Sequence, residues 1–431
     1  MRRSVAAPLI VLSLLSSACL TINPNYQIPD VCQDLNNLPL TSLTAAPPTV
    51  TLEQAGVVQI MHGSGTAQLP SGKHVIKVED GVSIPSYATQ ATVFLNGWRL
   101  NYLGGDQHVA DVGALITNIT LDQRNKRLTW NAFGELRDND FKEGYRFEYR
   151  YTVIAWNDAA INLVVDHRDC SGDTDFPHNA FLSLSNGTTA LSAFSAVGQP
   201  PGMPPNRPVA VLPRGFGFSW PDHHILQIAY NLDHSEIFAE KDKRYVTNHK
   251  GQTLGNTRVG APAPLPTPAS RVDGGFVSWD TLVIYKDNAG QRDYVFTELI
   301  SALGGTDVGL IQPPFAILPR EGEGGGALTG GVQRQAFVIE NVPFAIAIPV
   351  LTGWELSYLT DDQHVKDVGV WIEDWSYTPS PTGGTLRYTL GSILADDDDW
   401  PPHVIRHRVT VLGIRALGGG AGGVPATQRA P

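Results

Sequence analysis

Gly97 to Gly113 reads GWRLNYLGGDQHVADVG, and far along the chain Gly353 to Gly369 reads GWELSYLTDDQHVKDVG. In both stretches the large apolar residues alternate, Trp98, Leu100 and Tyr102 in one and Trp354, Leu356 and Tyr358 in the other. A period of two is the mark of a strand with one buried face. A shorter version lies between them: GFGFSWPDHHILQI, Gly215 to Ile228. Gly215, Phe216, Phe218 and Trp220 align with Gly97, Trp98, Leu100 and Tyr102, and Asp222, His223, His224 and Ile225 align with Asp106, Gln107, His108 and Val109.

The similarity continues downstream. FEYRYTVIAWND (Phe147 to Asp158) lines up with FVSWDTLVIYKD (Phe276 to Asp287), and RVTVLGI (Arg408 to Ile414) answers RYTVIAW. In YRFEYRYTVIAW, Tyr145, Phe147, Tyr149, Tyr151 and Val153 share one face while Arg146, Glu148, Arg150 and Thr152 share the other. Gly- and Pro-rich punctuation separates these regions at Ala45 to Thr49, Gly198 to Pro208 and Glu321 to Gly331. Long amphipathic helical patterns are missing. The expectation is an all-β fold of three tandem β-sandwich or jelly-roll-like repeat units, spanning 50–197, 209–320 (divergent) and 332–416, with a disordered tail over 417–431.

The N-terminus reads as a targeting segment. Arg2 and Arg3 precede a short apolar run, Val5 to Leu15, and Ser16 to Cys19 follows as a small-residue cleavage site. The segment resembles a bacterial lipoprotein signal. That resemblance implies a signal peptide over 1–18, lipidation at Cys19 and an anchor or linker segment over 19–49. Ser16 and Ala18 also suit ordinary signal peptidase, and both routes leave Cys19 first. Leu20 in the position after the Cys implies, by the sorting rule of diderm bacteria, an outer-membrane destination in the cell envelope. Two further cysteines remain, Cys32 and Cys170. In an oxidising compartment they are expected to form a disulfide; two separate buried thiols are the alternative.

Without the leader the chain carries 29 Lys and Arg against 42 Asp and Glu, a net charge of −13. With no basic cluster, a chain this acidic is a poor partner for nucleic acid. No nucleophile elbow, HExxH or Gly-rich phosphate loop is written in it.

The motif residues admit two readings. An aromatic row such as Trp98 or Trp354 can stack on sugar rings, or it can anchor a sandwich interior; recurrence in all three stretches favours the interior. Asp106/His108, Asp222/His224 and Asp362/His364 stand two apart, so on a strand they point the same way. They could lend two ligands to a metal, or form a buried Asp–His hydrogen bond that ties strand to loop. The structural role is preferred, since zinc asks for three or four ligands.

Acidic loops are a separate matter. Asp138 and Asp140 in one place, and Asp396, Asp397, Asp398 and Asp399 in another, are candidate Ca²⁺ ligands, against the commoner reading of a solvated charged loop. Asp166 to His178 is a further acidic cluster. The divergent middle stretch adds Asp222, His223, His224, His234 and Glu236, the candidate site if the protein is a metal-assisted hydrolase or lyase on an extracellular polymer. The preferred reading is non-enzymatic: an exported, surface-anchored protein that binds glycan, envelope polymer or another protein.

Overall fold

Tyr145–Trp156 forms a strand with Tyr145, Phe147, Tyr149 and Tyr151 buried and Arg146 exposed, as its alternation predicts. The computed structural model describes residues 38–70, 75–105, 108–137, 143–166, 182–185, 187–195, 210–223, 225–238, 276–286, 293–305, 307–311, 316–317, 331–358, 364–396 and 403–415. For residue 166 and for those in 182–195, 219–223, 232–238, 276–298, 302, 311 and 316–317 it describes the backbone alone. Every regular element among the described residues is a β-strand, so the chain is all-β and sandwich-like.

The first stretch holds β1 (Leu43–Ala45), β2 (Thr49–Gln54), β3 (Val58–Leu69), β4 (Val75–Ser83), β5 (Gln90–Tyr102), β6 (Val109–Asp122), β7 (Arg127–Arg137) and β8 (Tyr145–Trp156). The second holds β9 (Val164–Asp166), β10 (Leu182–Ser185), β11 (Gly187–Ser195), β12 (Ala210–His223), β13 (Gln227–Phe238), β14 (Phe276–Lys286), β15 (Asp293–Gly304), β16 (Val308–Ile311) and β17 (Ala316–Ile317). The third holds β18 (Gln333–Val342), β19 (Ile346–Tyr358), β20 (Asp367–Thr378), β21 (Gly384–Ala395) and β22 (His403–Ile414).

Among the described residues three antiparallel sheets result, and none stays within one stretch. One runs β1-β3-β8-β5-β20-β21-β18 with β2 beside β3; the next runs β10-β15-β12-β6-β7-β4 with β9 beside β15; the last runs β11-β14-β13-β19-β22-β16 with β17 beside β22. The strand that opens each motif stays in one sheet, and the strand after it crosses to another. Thus β5 pairs with β20, β12 with β6 and β19 with β13.

These three seams share one register. Gly97 faces Trp371, Gly215 faces Leu115 and Gly353 faces Asn231. On its other side each of these strands carries a bulge ending at the same glycine. Gly97 and Gly215 have φ of +153° and +155°, where a side chain is strained. The seam adds a steric reason. A Cβ on Gly97 would overlap Trp371, and one on Gly215 would overlap the backbone of Ala114 and Leu115. The glycine therefore lets two backbones from distant parts of the chain lie side by side.

Candidate functional site

The three motif strands face one another across the middle of the molecule. Trp98, Phe216 and Trp354 form a nearly equilateral triangle of rings: the centroids are 4.9 Å apart for Trp98–Phe216, 4.9 Å for Phe216–Trp354 and 5.1 Å for Trp98–Trp354, with interplanar angles of 60°, 62° and 60°. Edge-to-face packing at this distance is favourable because a ring's positive edge meets its neighbour's negative face. Trp98 and Trp354 are 1% and 2% exposed, so neither ring is available to stack on a sugar.

Below the triangle, the residue before each motif glycine is polar and buried: Asn96, Arg214 and Thr352. Asn96 bonds Thr152 Oγ1, Thr352 bonds Thr410 Oγ1 at 2.8 Å, and Arg214 Nε donates to the Ile300 carbonyl at 3.0 Å. Burying polar groups is tolerable because each finds a partner. None of the three was singled out from the sequence. The signal was there, a polar residue breaking an apolar run just before each repeated glycine.

Above the triangle come Leu100, Phe218 and Leu356, then Tyr102 and Tyr358, all buried. Backbone bonds clamp the next corner: Tyr102 N–H donates to Lys366 O at 2.9 Å and Tyr358 N–H to Leu226 O at 2.8 Å. Val109, Ile225 and Val365 then turn inward, at most 1% exposed. Directly before two of them stand His108 and His364. Their rings lie against each other, with centroids 4.4 Å apart and an interplanar angle of 48°. His108 is exposed and His364 half-buried. Two copies of the same motif histidine thus meet at one end of the central column.

The seams carry their own polar chemistry. Across β5–β20, Arg99 makes a fork to Asp367, with Nη2–Oδ2 at 2.6 Å and Nε–Oδ1 at 3.0 Å. Burial pushes the Asp367 carboxyl up even against the pull of that guanidinium, while the hydrogen bond to Asp367 raises Arg99. Across β13–β19, Gln227 donates to Glu355 Oε1 at 2.8 Å, and Arg406 holds the same carboxylate. Asp111, at the matching place on β6, is held by Arg137.

The other sequence candidates are placed as follows. Cys19, Cys32, Cys170, Asp106, Asp138, Asp140, His224, Asp362, Asp397, Asp398 and Asp399 lie outside the described residues, as does nearly all of Asp166 to His178. Asp396 is buried, 6% exposed. Asp222 and His223 end β12, whereas His234 and Glu236 lie well along β13, in register with Asp280 and Ser278. At about 3.3 Å per residue, the seven steps from Gln227 to His234 span roughly 23 Å of strand. Among the described residues, no group of three or more His, Cys, Asp or Glu is arranged to hold a metal ion.

No family model, no curated protein and no solved structure matches the chain.

Proposed function

We propose that this is an exported, envelope-anchored binding protein built from three β-rich repeats that share their sheets, with a glycan, an envelope polymer or another protein as its ligand. The observation that carries the reading is the burial of the thrice-written aromatic at the centre of the molecule. The motif therefore serves the scaffold. Recognition is left to the loops and outer faces that a rigid β-framework holds in place. The leader-like segment before Cys19 and the acidic composition agree with a surface protein that avoids nucleic acid.

Two measurements test this. In a diderm host, wild-type protein should fractionate with the outer membrane and Cys19→Ala should be released as soluble protein. Purified protein should then retain a subset of envelope polysaccharides on an array without shortening them. Soluble wild type would remove the anchor, and chain cleavage of a retained polymer would replace binding with hydrolysis.

A further inference from the structure

We propose that His108 and His364 form a surface site for a single divalent transition-metal ion of tetragonal preference, Cu²⁺ or Ni²⁺, bridging two motif corners at the end of the central column. The site does not depend on the ligand-binding reading above.

The geometry is the argument. One imidazole nitrogen of each ring, about 2.0–2.1 Å from a shared ion, would put each ring centroid about 3.2 Å from it. A right-angled pair of ligands then separates the centroids by about 4.5 Å, and a tetrahedral pair by about 5.2 Å. The observed separation is 4.4 Å. A separation of this size admits a right-angled pair with little movement of the rings, and right angles are the preference of Cu²⁺ and Ni²⁺ rather than of Zn²⁺.

Each histidine is anchored on its C-terminal side. Each histidine is followed by a buried valine, Val109 or Val365, and the His364 corner is tied to β5 by the Tyr102–Lys366 backbone bond. Little conformational freedom is lost when an ion arrives. Solvent reaches His108, so an ion can enter and water can fill its remaining positions. The two imidazoles stand just before β6 and β20, strands that pair in different sheets, β6 with β12 and β20 with β5. A bound ion would therefore clamp one sheet to another.

The test uses the full chain carrying no affinity tag. Equilibrium dialysis against Ni²⁺ should find one ion per chain. His108→Ala and His364→Ala should each weaken binding by at least about tenfold, as loss of a direct ligand outweighs loss of its support. The double variant should bind none, while His407→Tyr, at a buried position elsewhere, should bind as wild type does. The electron paramagnetic resonance spectrum of wild type with one equivalent of Cu²⁺ should show coupling to two imidazole nitrogens. Absence of stoichiometric Ni²⁺ in wild type, binding that persists in the double variant, or a Cu²⁺ spectrum with fewer than two imidazoles would each overturn the site. The spectrum needs no variant, so a substitution that perturbs folding does not blur the outcome.

Discussion

The Asn96 side chain is bonded twice to the backbone around Leu351: its Oδ1 accepts from the Leu351 N–H at 2.9 Å, and its Nδ2 donates to the Pro349 carbonyl at 2.9 Å. A third bond, Nδ2 to Thr152 Oγ1 at 3.0 Å, joins β5 to β8. One fully buried amide thus ties together two motif strands that share no sheet. Removing it leaves a backbone donor and acceptor without water. Asn96→Ala should cost roughly 3 kcal/mol in urea unfolding, since each buried unsatisfied group costs about 1–3 kcal/mol. Asn96→Asp should cost at least as much, because it loses both Nδ2 donations and buries a carboxyl. A cost below about 1 kcal/mol for Asn96→Ala would mean the two strands are held without it.

The ring triangle predicts a graded series. Trp98→Ala and Trp354→Ala should each destabilise the full chain by roughly 3–5 kcal/mol. Trp98→Phe should cost much less, because Phe216 already fills the equivalent corner. Thermal unfolding in the presence of EDTA checks this, as chelation separates packing from any metal contribution. Equal losses for Phe and Ala would show that the triangle's geometry is irrelevant to stability.

Arg99 and Asp367 should couple. Their side chains are 25% and 6% exposed, so the carboxylate is the dependent partner. Arg99→Ala should cost about 3 kcal/mol by leaving that carboxylate buried and uncompensated. The apolar double replacement Arg99→Met with Asp367→Leu should recover most of the loss. A double-mutant cycle with zero coupling would place the pair's contribution at the solvated limit.

His407 makes stability fall in mild acid. Its ring is 1% exposed, packed against Phe337 and 3.5 Å from the Tyr388 hydroxyl, and burial lowers its pKa from 6.5 to about 4. A lowered histidine pKa means the unfolded chain binds the proton first. The contribution is full above about pH 6.5 and is lost as pH falls toward 4, by about 2 kcal/mol at pH 5 and on the order of 3 kcal/mol in all. His62, also lowered to about 4, chiefly by burial and then by the Arg150 charge, acts in the same direction. In register, His407 faces Trp354 as Tyr149 faces Trp98. His407→Tyr should therefore flatten the pH 5–7 slope of unfolding free energy relative to wild type. An unchanged slope would assign it to other groups.

Much of the strand content could be read directly. The alternation of Tyr145 to Trp156 is β8, and aligning Phe216 with Trp98 and Trp354 placed three rings that now touch. What could not be read was the company each strand keeps. Alternation says that a face is buried; it does not say against what. Nothing in DVGALI or DVGVWI indicates that β6 joins β12 or that β20 joins β5. The site was less legible still. A buried Asp–His bond was expected at each motif, and two of its aspartates lie outside the described residues, but the meeting of His108 with His364 depends on the assembly of corners far apart in the chain. Asn96, Arg214 and Thr352 do not stand out in the sequence, because a single polar residue in an apolar run has no meaning until its partners are known.

The exchange of strands between sheets sets an order of events during synthesis. β5 is complete early, yet its seam edge waits for β20, which begins at Asp367. Until those residues have been synthesised, a strand with apolar residues on both faces has no partner on that side. Pairings this distant in sequence close slowly, and an open edge invites association with other chains. Closure of that seam is thus deferred until β20 has been made, and any holdase would have its longest engagement with the β5 edge. A nonsense mutation just before Asp367 would leave not two finished units and a stub, but a chain with two of its three sheets incomplete.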